Sequence, residues 1–234
     1  KSITTIGHFW NTATSYDDLY QAYISTHSDV ATSSGNQYEN DGTVLDIYSE
    51  NPTGTDAYNY NHGSMQCDNQ SSEGDCYNRE HIVPQSSFGS TFPMQSDIHH
   101  VIPTDGRVNN IRGNLPFGEA NNDDWESLNG SLRGSSAMVG YSGSVFEPID
   151  EFKGDVARAL LYFATRYEHR VKNFSHIMLN GSEDQVYADW FLNLLIKWHK
   201  QDPVSEHEIH RNEIGFKFQG NRNPFIDNPE WVEK

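Results

Sequence analysis

The stretch from Cys76 to Glu119 constrains this chain more than any other. It reads C-Y-N-R-E-H-I-V-P-Q-S-S-F, a short spacer, then S-D-I-H-H-V-I-P-T-D-G-R-V-N-N-I-R-G-N-L-P-F-G-E. Ile82-Val83 and Val101-Ile102 are β-branched pairs beside prolines, which favour extended chain. Thr104 or Asp105 is placed to cap a helix starting near Gly106, with Val108, Ile111 and Leu115 on its apolar face. Asn109 and Arg112, three apart, are neighbours beside that face. The predicted unit is strand, strand, helix, and it can bring Glu80, His81 and Asn109 to one end. Carboxylate and amide oxygens suit a hard cation such as Mg²⁺, and an adjacent imidazole can take a proton from water.

Asp97, His99 and His100 lie on a short apolar run. Strand alternation would put Asp97 and His99 on one face and His100 on the other. The first two are expected as a buried polar pair supporting strand, helix and loop, rather than as reacting groups.

The ordered motifs N-R-E-H-x-x-P-x-S-x-F and D-I-H-H-x-x-P-T-D-G-R-V-N-x-x-R-x-N-x-P-F-G-E resemble the bacterial endonuclease I family. The similarity extends to G-D-V-A-R-A-L-L-Y-F-A-T-R-Y at 154–167 and Q-G-N-R-N-P-F-I-D at 219–227. The resemblance implies a secreted or periplasmic, sequence-non-specific nuclease built on a ββα-metal finger, cutting DNA and RNA to leave 5′-phosphate ends. It implies Glu80 and Asn109 as ligands of Mg²⁺ (Mn²⁺ or Ca²⁺ being alternatives) and His81 as general base. His81 Nε2 is expected to face the water, with Nδ1–H held by a main-chain carbonyl near Gln95–Asp97. Arg112 is expected on the scissile phosphate or on a carboxylate near the helix. Backbone contacts to nucleic acid are expected from Arg79, Arg107, Asn114 and Arg222, a structural clamp being the equal alternative for Arg222. The sequence departs from the family in one place. The spacer 89–96 holds no basic residue, which leaves its transition-state arginine to Arg79 or Arg112.

A chain of 234 residues fits one domain with its own core. We expect a single α+β domain over 1–234, with helices around a finger at about 76–119 and a small sheet. The 12 Phe, 12 Tyr and 5 Trp supply core area that an apolar content of 35% would not. The chain begins at Lys1, as a processed protein would, and a monomer without a membrane span is expected. Cys67 and Cys76 match neither a zinc knuckle nor a C-x-x-C redox pair. A disulfide closing the polar loop between them is favoured over two free thiols, and implies an oxidising compartment.

The formal net charge of −17 sits badly with a nucleic-acid partner. Arg79, Arg107, Arg112 and Arg133 cluster near the motif, so a local basic cleft on an acidic body is expected, together with salt tolerance. Two other classes of function compete. A zinc hydrolase would use His99, His100 and Glu80, but helical H-E-x-x-H spacing is absent. A secreted acidic binding protein would explain the charge and the aromatics, but not the Glu-His, Asp-x-His and Asn-x-x-Arg frame.

Elsewhere, 1–14 reads as an extended arm and 15–27 as a helix capped by Ser15, with Tyr16, Leu19, Tyr20, Tyr23 and Ile24 as its stripe. Val44–Tyr48 and the region of Tyr58–Asn61 read as strands, 121–143 as a surface excursion and 145–149 as a strand. Helices are predicted over 153–170, 187–200 and 204–216, followed by a tail that wraps the body.

Overall fold

The computed structural model describes residues 15–30, 38–68 and 70–234; the arm expected at 1–14 lies outside them. Two antiparallel strands, β1 (Tyr77–His81) and β2 (Val101–Asp105), pair with Glu80 opposite Ile102 and His81 opposite Val101. The chain between them forms a short helix, α2 (Gln85–Phe88), and a 3₁₀ turn at Met94–Ser96. Helix α3 (Gly106–Arg112) leaves β2 directly, because the Asp105 side chain accepts the Val108 N–H at 2.7 Å and satisfies an orphan donor of its first turn. Gly113, at φ +54°, ends it in a conformation that other residues resist.

A second sheet of three antiparallel strands, in the order β3 (Ala120–Glu126), β4 (Leu132–Ser136), β5 (Ser144–Glu147), replaces the expected surface excursion. β3 reads A-N-N-D-D-W-E and is mostly exposed, so no apolar alternation marks it; pairing with β4 holds it in place. The helices complete the body: α1 (Asp18–Thr26), α4 (Lys153–Arg166), α5 (Glu168–Val171), α6 (Asp189–Gln201), α7 (Glu206–Gln219) and α8 (Pro224–Asp227). The fold is α+β, as expected.

The main core lies where α4 and α6 pack. Val156, Leu160 and Phe163 of α4 meet Phe191, Leu194, Leu195 and Trp198 of α6, all essentially without solvent contact. Tyr167 breaks the single helix expected over 153–170 into α4 and α5. Ser205 and Glu208 form a reciprocal capping box that starts α7. Glu208 is also buried, and takes the Arg158 guanidinium at 2.6 and 2.7 Å. α1 packs on α7 and β2, donating the Tyr23 hydroxyl to the Val101 carbonyl at 3.0 Å. Its buried face is Leu19, Ala22, Tyr23 and Thr26, whereas Ile24 of the expected stripe is exposed.

The strands expected at Val44–Tyr48 and near Tyr58–Asn61 do not form. Val44 makes one isolated bridge, to Ser28, and residues 47–49 turn. The turn is local chemistry: Asp46 Oδ1 accepts the Tyr48 N–H at 2.8 Å, a bond that competes with a ladder.

Candidate active site

β1, α3 and the turn before α2 meet at a cleft of 280 Å³, lined among others by Asn78, Arg79, Glu80, His81, Asn109 and Asn114. The expected trio of Glu80, His81 and Asn109 is thus brought to one place. Strand alternation alone would send Glu80 and His81 to opposite faces. Both reach the cleft because β1 ends at His81, where the chain turns.

Glu80 is buried beside Arg112. Its Oε1 lies 2.9 Å from Arg112 Nη1 and accepts the Tyr48 hydroxyl at 3.2 Å. Burial pushes its carboxyl up to about 7, while Arg112 and the hydrogen bonds it accepts pull the other way. Arg112 itself donates Nη1 to the His81 carbonyl at 2.9 Å and Nη2 to the Ile82 carbonyl at 2.8 Å, and stacks over Phe117. Its guanidinium is spent on the main chain of β1 and on Glu80. Of the two roles expected for it, the geometry gives the carboxylate clamp: the side chain is 1% exposed and Nη1 and Nη2 serve Glu80 and the two carbonyls, while Nε is buried without a hydrogen-bond partner.

His81 packs among Tyr16, Phe88 and His100. Its Nε2 lies 3.0 Å from the Gln95 carbonyl. A carbonyl only accepts, so Nε2 carries the hydrogen and the neutral ring keeps its lone pair on Nδ1. The expected anchor is there, but the two nitrogens are exchanged relative to the expectation. Burial pushes the imidazole down to about 3, with His100, Arg79 and Arg112 adding to the shift against the Gln95 bond. The ring is neutral at physiological pH.

Asn109 donates Nδ2 to Asn78 Oδ1 at 2.8 Å, which fixes the amide and leaves its carbonyl oxygen available. The Arg79 guanidinium sits over Tyr16, 3.5 Å from the ring centre, and 4.4 Å from that of Tyr20, and donates to the Asp17 carboxylate and the Tyr16 carbonyl. Asn114 lines the cleft and is exposed. Arg107 is half-buried on α3 and does not line the cleft. Arg222 is clamped between Asp227 and Glu213 at 2.6–2.8 Å, the structural alternative. Arg133 is held by Asp124. The basic cleft expected from sequence is therefore two guanidinium groups, Arg79 and Arg112, each paired with a carboxylate.

Asp97 to His100 form a turn, not a strand, with the His100 and Val101 N–H groups on the Asp97 carbonyl. The Asp97 carboxylate accepts the Tyr162 hydroxyl at 2.7 Å, the Tyr167 hydroxyl at 2.5 Å, Gln219 Nε2 at 2.7 Å and the His99 N–H at 3.0 Å. Burial alone would raise this carboxyl; His99, His100 and the donors around it hold it below the usual range. His99 reaches the Asn221 carbonyl and His100 the Met94 carbonyl. The two rings serve separate anchors, and among the described residues they form no cation-binding group with Glu80. That removes the geometric basis of the zinc hydrolase. Cys67 and Cys76 are joined in a disulfide with a Cα–Cα distance of 5.9 Å, bracing the entry to β1.

Sequence reasoning missed Tyr48, Asn78, Tyr162, Tyr167 and Gln219. Tyr48 and Gln219 come from 32 and 122 residues away in sequence from the groups they hold, a distance no local pattern spans.

A buried carboxylate, a neutral imidazole with an accepting nitrogen and a fixed amide thus meet around one cleft, the set of groups that a hydrolase site draws on. The model of the Endonuclease I family matches residues 4–230, and the chain belongs to that family. It is 36% identical over 229 residues to an extracellular ribonuclease of Bacillus amyloliquefaciens, covering 96% of this chain and 69% of that protein. An extracellular ribonuclease of Bacillus subtilis (strain 168) is 40% identical over 164 residues, covering 68% of this chain and 53% of that protein. An extracellular deoxyribonuclease of Aeromonas hydrophila is 27% identical over 167 residues, covering 63% of this chain and 64% of that protein. Among the described residues no helix is long and apolar enough to cross a membrane.

Proposed function

We propose that this chain is a secreted or periplasmic nuclease that hydrolyses phosphodiester bonds of DNA and RNA without sequence preference, leaving 5′-phosphate and 3′-hydroxyl ends. The observation that carries this reading is the His81 anchor: Nε2–H on the Gln95 carbonyl turns a neutral imidazole into an oriented base. Family membership supports the reaction class, and relatives named as ribonuclease and deoxyribonuclease support both substrates. The names of those relatives and the disulfide support an oxidising compartment. The reading takes the whole of 1–234 as one nuclease domain acting as a monomer, with its finger at about 76–119.

The donor set fits a hard divalent ion. Glu80 offers a buried carboxylate whose proton an ion would displace, and Asn109 an amide oxygen on a side chain already fixed by Asn78. Mg²⁺ is the proposed ion, and Mn²⁺ or Ca²⁺ suits the same oxygens. When bound, the ion neutralises charge that builds on the phosphoryl oxygens and the leaving 3′ oxygen.

The residues do the rest. His81 Nδ1 takes a proton from a water as its oxygen bonds to phosphorus, and the P–O3′ bond breaks in line. The 3′ oxygen leaves with a proton from solvent, and the imidazolium returns its proton to bulk water. An approaching phosphodiester anion raises the His81 affinity for a proton just when the base is needed. Arg112 keeps Glu80 and the end of β1 in place and touches no substrate. Arg79, stacked on Tyr16 at the cleft wall, is the arginine proposed to meet the phosphate backbone, with Asn114 beside it.

The test is plasmid and RNA cleavage by protein stripped with EDTA, then supplied with Mg²⁺, Mn²⁺, Ca²⁺ or Zn²⁺. Cleavage that EDTA abolishes and Mg²⁺ restores supports the reading. Inertness under all four ions returns the chain to the class of acidic binding proteins.

A further inference from the structure

A second acidic cluster lies outside the catalytic cleft. One oxygen each of Glu39, Glu50 and Asp56 falls within 4.8 Å of the others. We propose that these three carboxylates form a non-catalytic divalent-cation site, suited to Ca²⁺, that braces the 39–56 segment under the active site.

Carboxylates often gather at a surface without a ligand, so the case rests on burial and on missing partners. Glu50 is 1% exposed, yet its Oε1 has no hydrogen-bond partner. Glu39 Oε2 is likewise buried and unpartnered. Leaving a buried acceptor unmet costs about 1–3 kcal/mol, and more for a charged one. Asp29, 3% exposed, adds another unpartnered oxygen and a negative charge acting on both Glu50 and Asp56. Among the described residues no Lys or Arg pairs with Glu39, Glu50 or Asp56. Burial, then Asp56, Glu39 and Asp29, push Glu50 up to about 9. A bound cation would satisfy all of these oxygens together.

Ca²⁺ accepts several carboxylate oxygens in a flexible geometry, whereas Mg²⁺ keeps most of its waters and is rarely held by protein oxygens alone. An all-oxygen set with no His or Cys also disfavours softer metals.

The position gives the site a consequence. Glu50 closes a turn with Asp46 and Tyr48: the Glu50 N–H goes to the Asp46 carbonyl at 3.0 Å, and Asp46 Oδ1 accepts the Tyr48 N–H. Tyr48 donates its hydroxyl to Glu80, and Asp46 Oδ2 accepts the Asp105 N–H at the start of α3. Asn129 holds the same turn from the far side, donating to the Ile47 and Glu50 carbonyls. An ion at Glu50 therefore tightens the turn that seats Glu80, without itself touching substrate.

The experiment is thermal unfolding of EDTA-stripped protein against added CaCl₂, with calorimetric titration of Ca²⁺, for wild type, Glu50→Gln, Asp56→Asn and Asn109→Ala. Glu50→Gln keeps the shape of a neutral carboxyl, and Asp56→Asn keeps the oxygen that accepts the Asn51 N–H at 2.6 Å, so one acid is lost from each without a cavity. Asn109→Ala disables the proposed catalytic site alone. Wild type and Asn109→Ala are expected to gain about 5–10 °C once calcium exceeds its Kd roughly a hundredfold. Glu50→Gln and Asp56→Asn are expected to lose most of that shift and the matching heat. A shift abolished by Asn109→Ala but kept by Glu50→Gln and Asp56→Asn would overturn the proposal, placing calcium in the catalytic cleft. Absence of both shift and heat in wild type up to about 10 mM calcium, above the usual range of extracellular sites, would also overturn it and leave the nuclease reading untouched.

Discussion

Glu80 and Arg112 form an ion pair with almost no solvent contact, and such pairs are costly to break singly. Arg112→Ala is expected to lower stability by about 3–5 kcal/mol, because it strands the Glu80 carboxylate and the His81 and Ile82 carbonyls. Urea unfolding checks this; a variant as stable as wild type but slow in cleavage would put Arg112 back on the phosphate. Buried titratable groups also set a pH dependence. Above about pH 7.5 an unfolded-chain histidine is largely neutral, as are the buried rings of His81, His100 and His207 in the fold. Glu80 and Asp202, held up to about 7, and Glu50, held up to about 9, still bind protons in the folded state that the unfolded chain has released. The folded state then binds more protons, so stability must fall as pH rises. In EDTA, the melting temperature is expected to drop between pH 7.5 and 9, and a steady rise across that window would contradict the burial of these carboxyls. The trio Glu80, His81 and Asn109 was legible in sequence because it sits in a contiguous frame. The exchange of His81 nitrogens was not, because it depends on where the Gln95 carbonyl falls after the turn that follows α2.

At the scale of elements, the finger was readable from local signals: β-branched pairs, a capping Asp and a helical spacing all agree there. Agreement failed where a polar bond or a distant partner decided. Asp46 turned an apolar run into a bend, and β3, polar except for Ala120 and Trp125, exists through its pairing with β4. Asp97 was read as a buried polar residue, but its tyrosines come from α4 and the break that follows it, and its glutamine from the end of α7. The disulfide follows the same logic of bracing: it closes the loop leading into β1. Reduction is expected to cost about 2–3 kcal/mol on the loop-closure model, read as a lower melting temperature in reducing agent. An unchanged melting temperature after verified reduction would mean the loop is held by other contacts, such as the Gln70 amide on the Gly106 carbonyl.

The whole molecule carries −17 charges, and the guanidinium groups at its cleft are already paired. Long-range repulsion of nucleic acid is therefore strong at low salt and is screened as the Debye length falls from about 30 Å at 0.01 M to about 8 Å at 0.15 M. Counterion competition, which penalises basic nucleases, grows with the number of phosphate contacts, and here those are few. Cleavage is expected to peak at moderate or high NaCl at fixed Mg²⁺. A monotonic fall from the lowest salt would show that the acidic surface lies too far from the cleft to matter. The central claim is that His81 moves a proton while Glu80 and Asn109 hold the ion. It is tested most directly by measuring cleavage rate and Mg²⁺ affinity together in His81→Ala. Loss of a general base lowers the rate by about 10²–10⁴-fold, and the account predicts that loss with Mg²⁺ affinity and fold retained. Near wild-type turnover, or a loss of Mg²⁺ affinity as large as in Asn109→Ala, would contradict it.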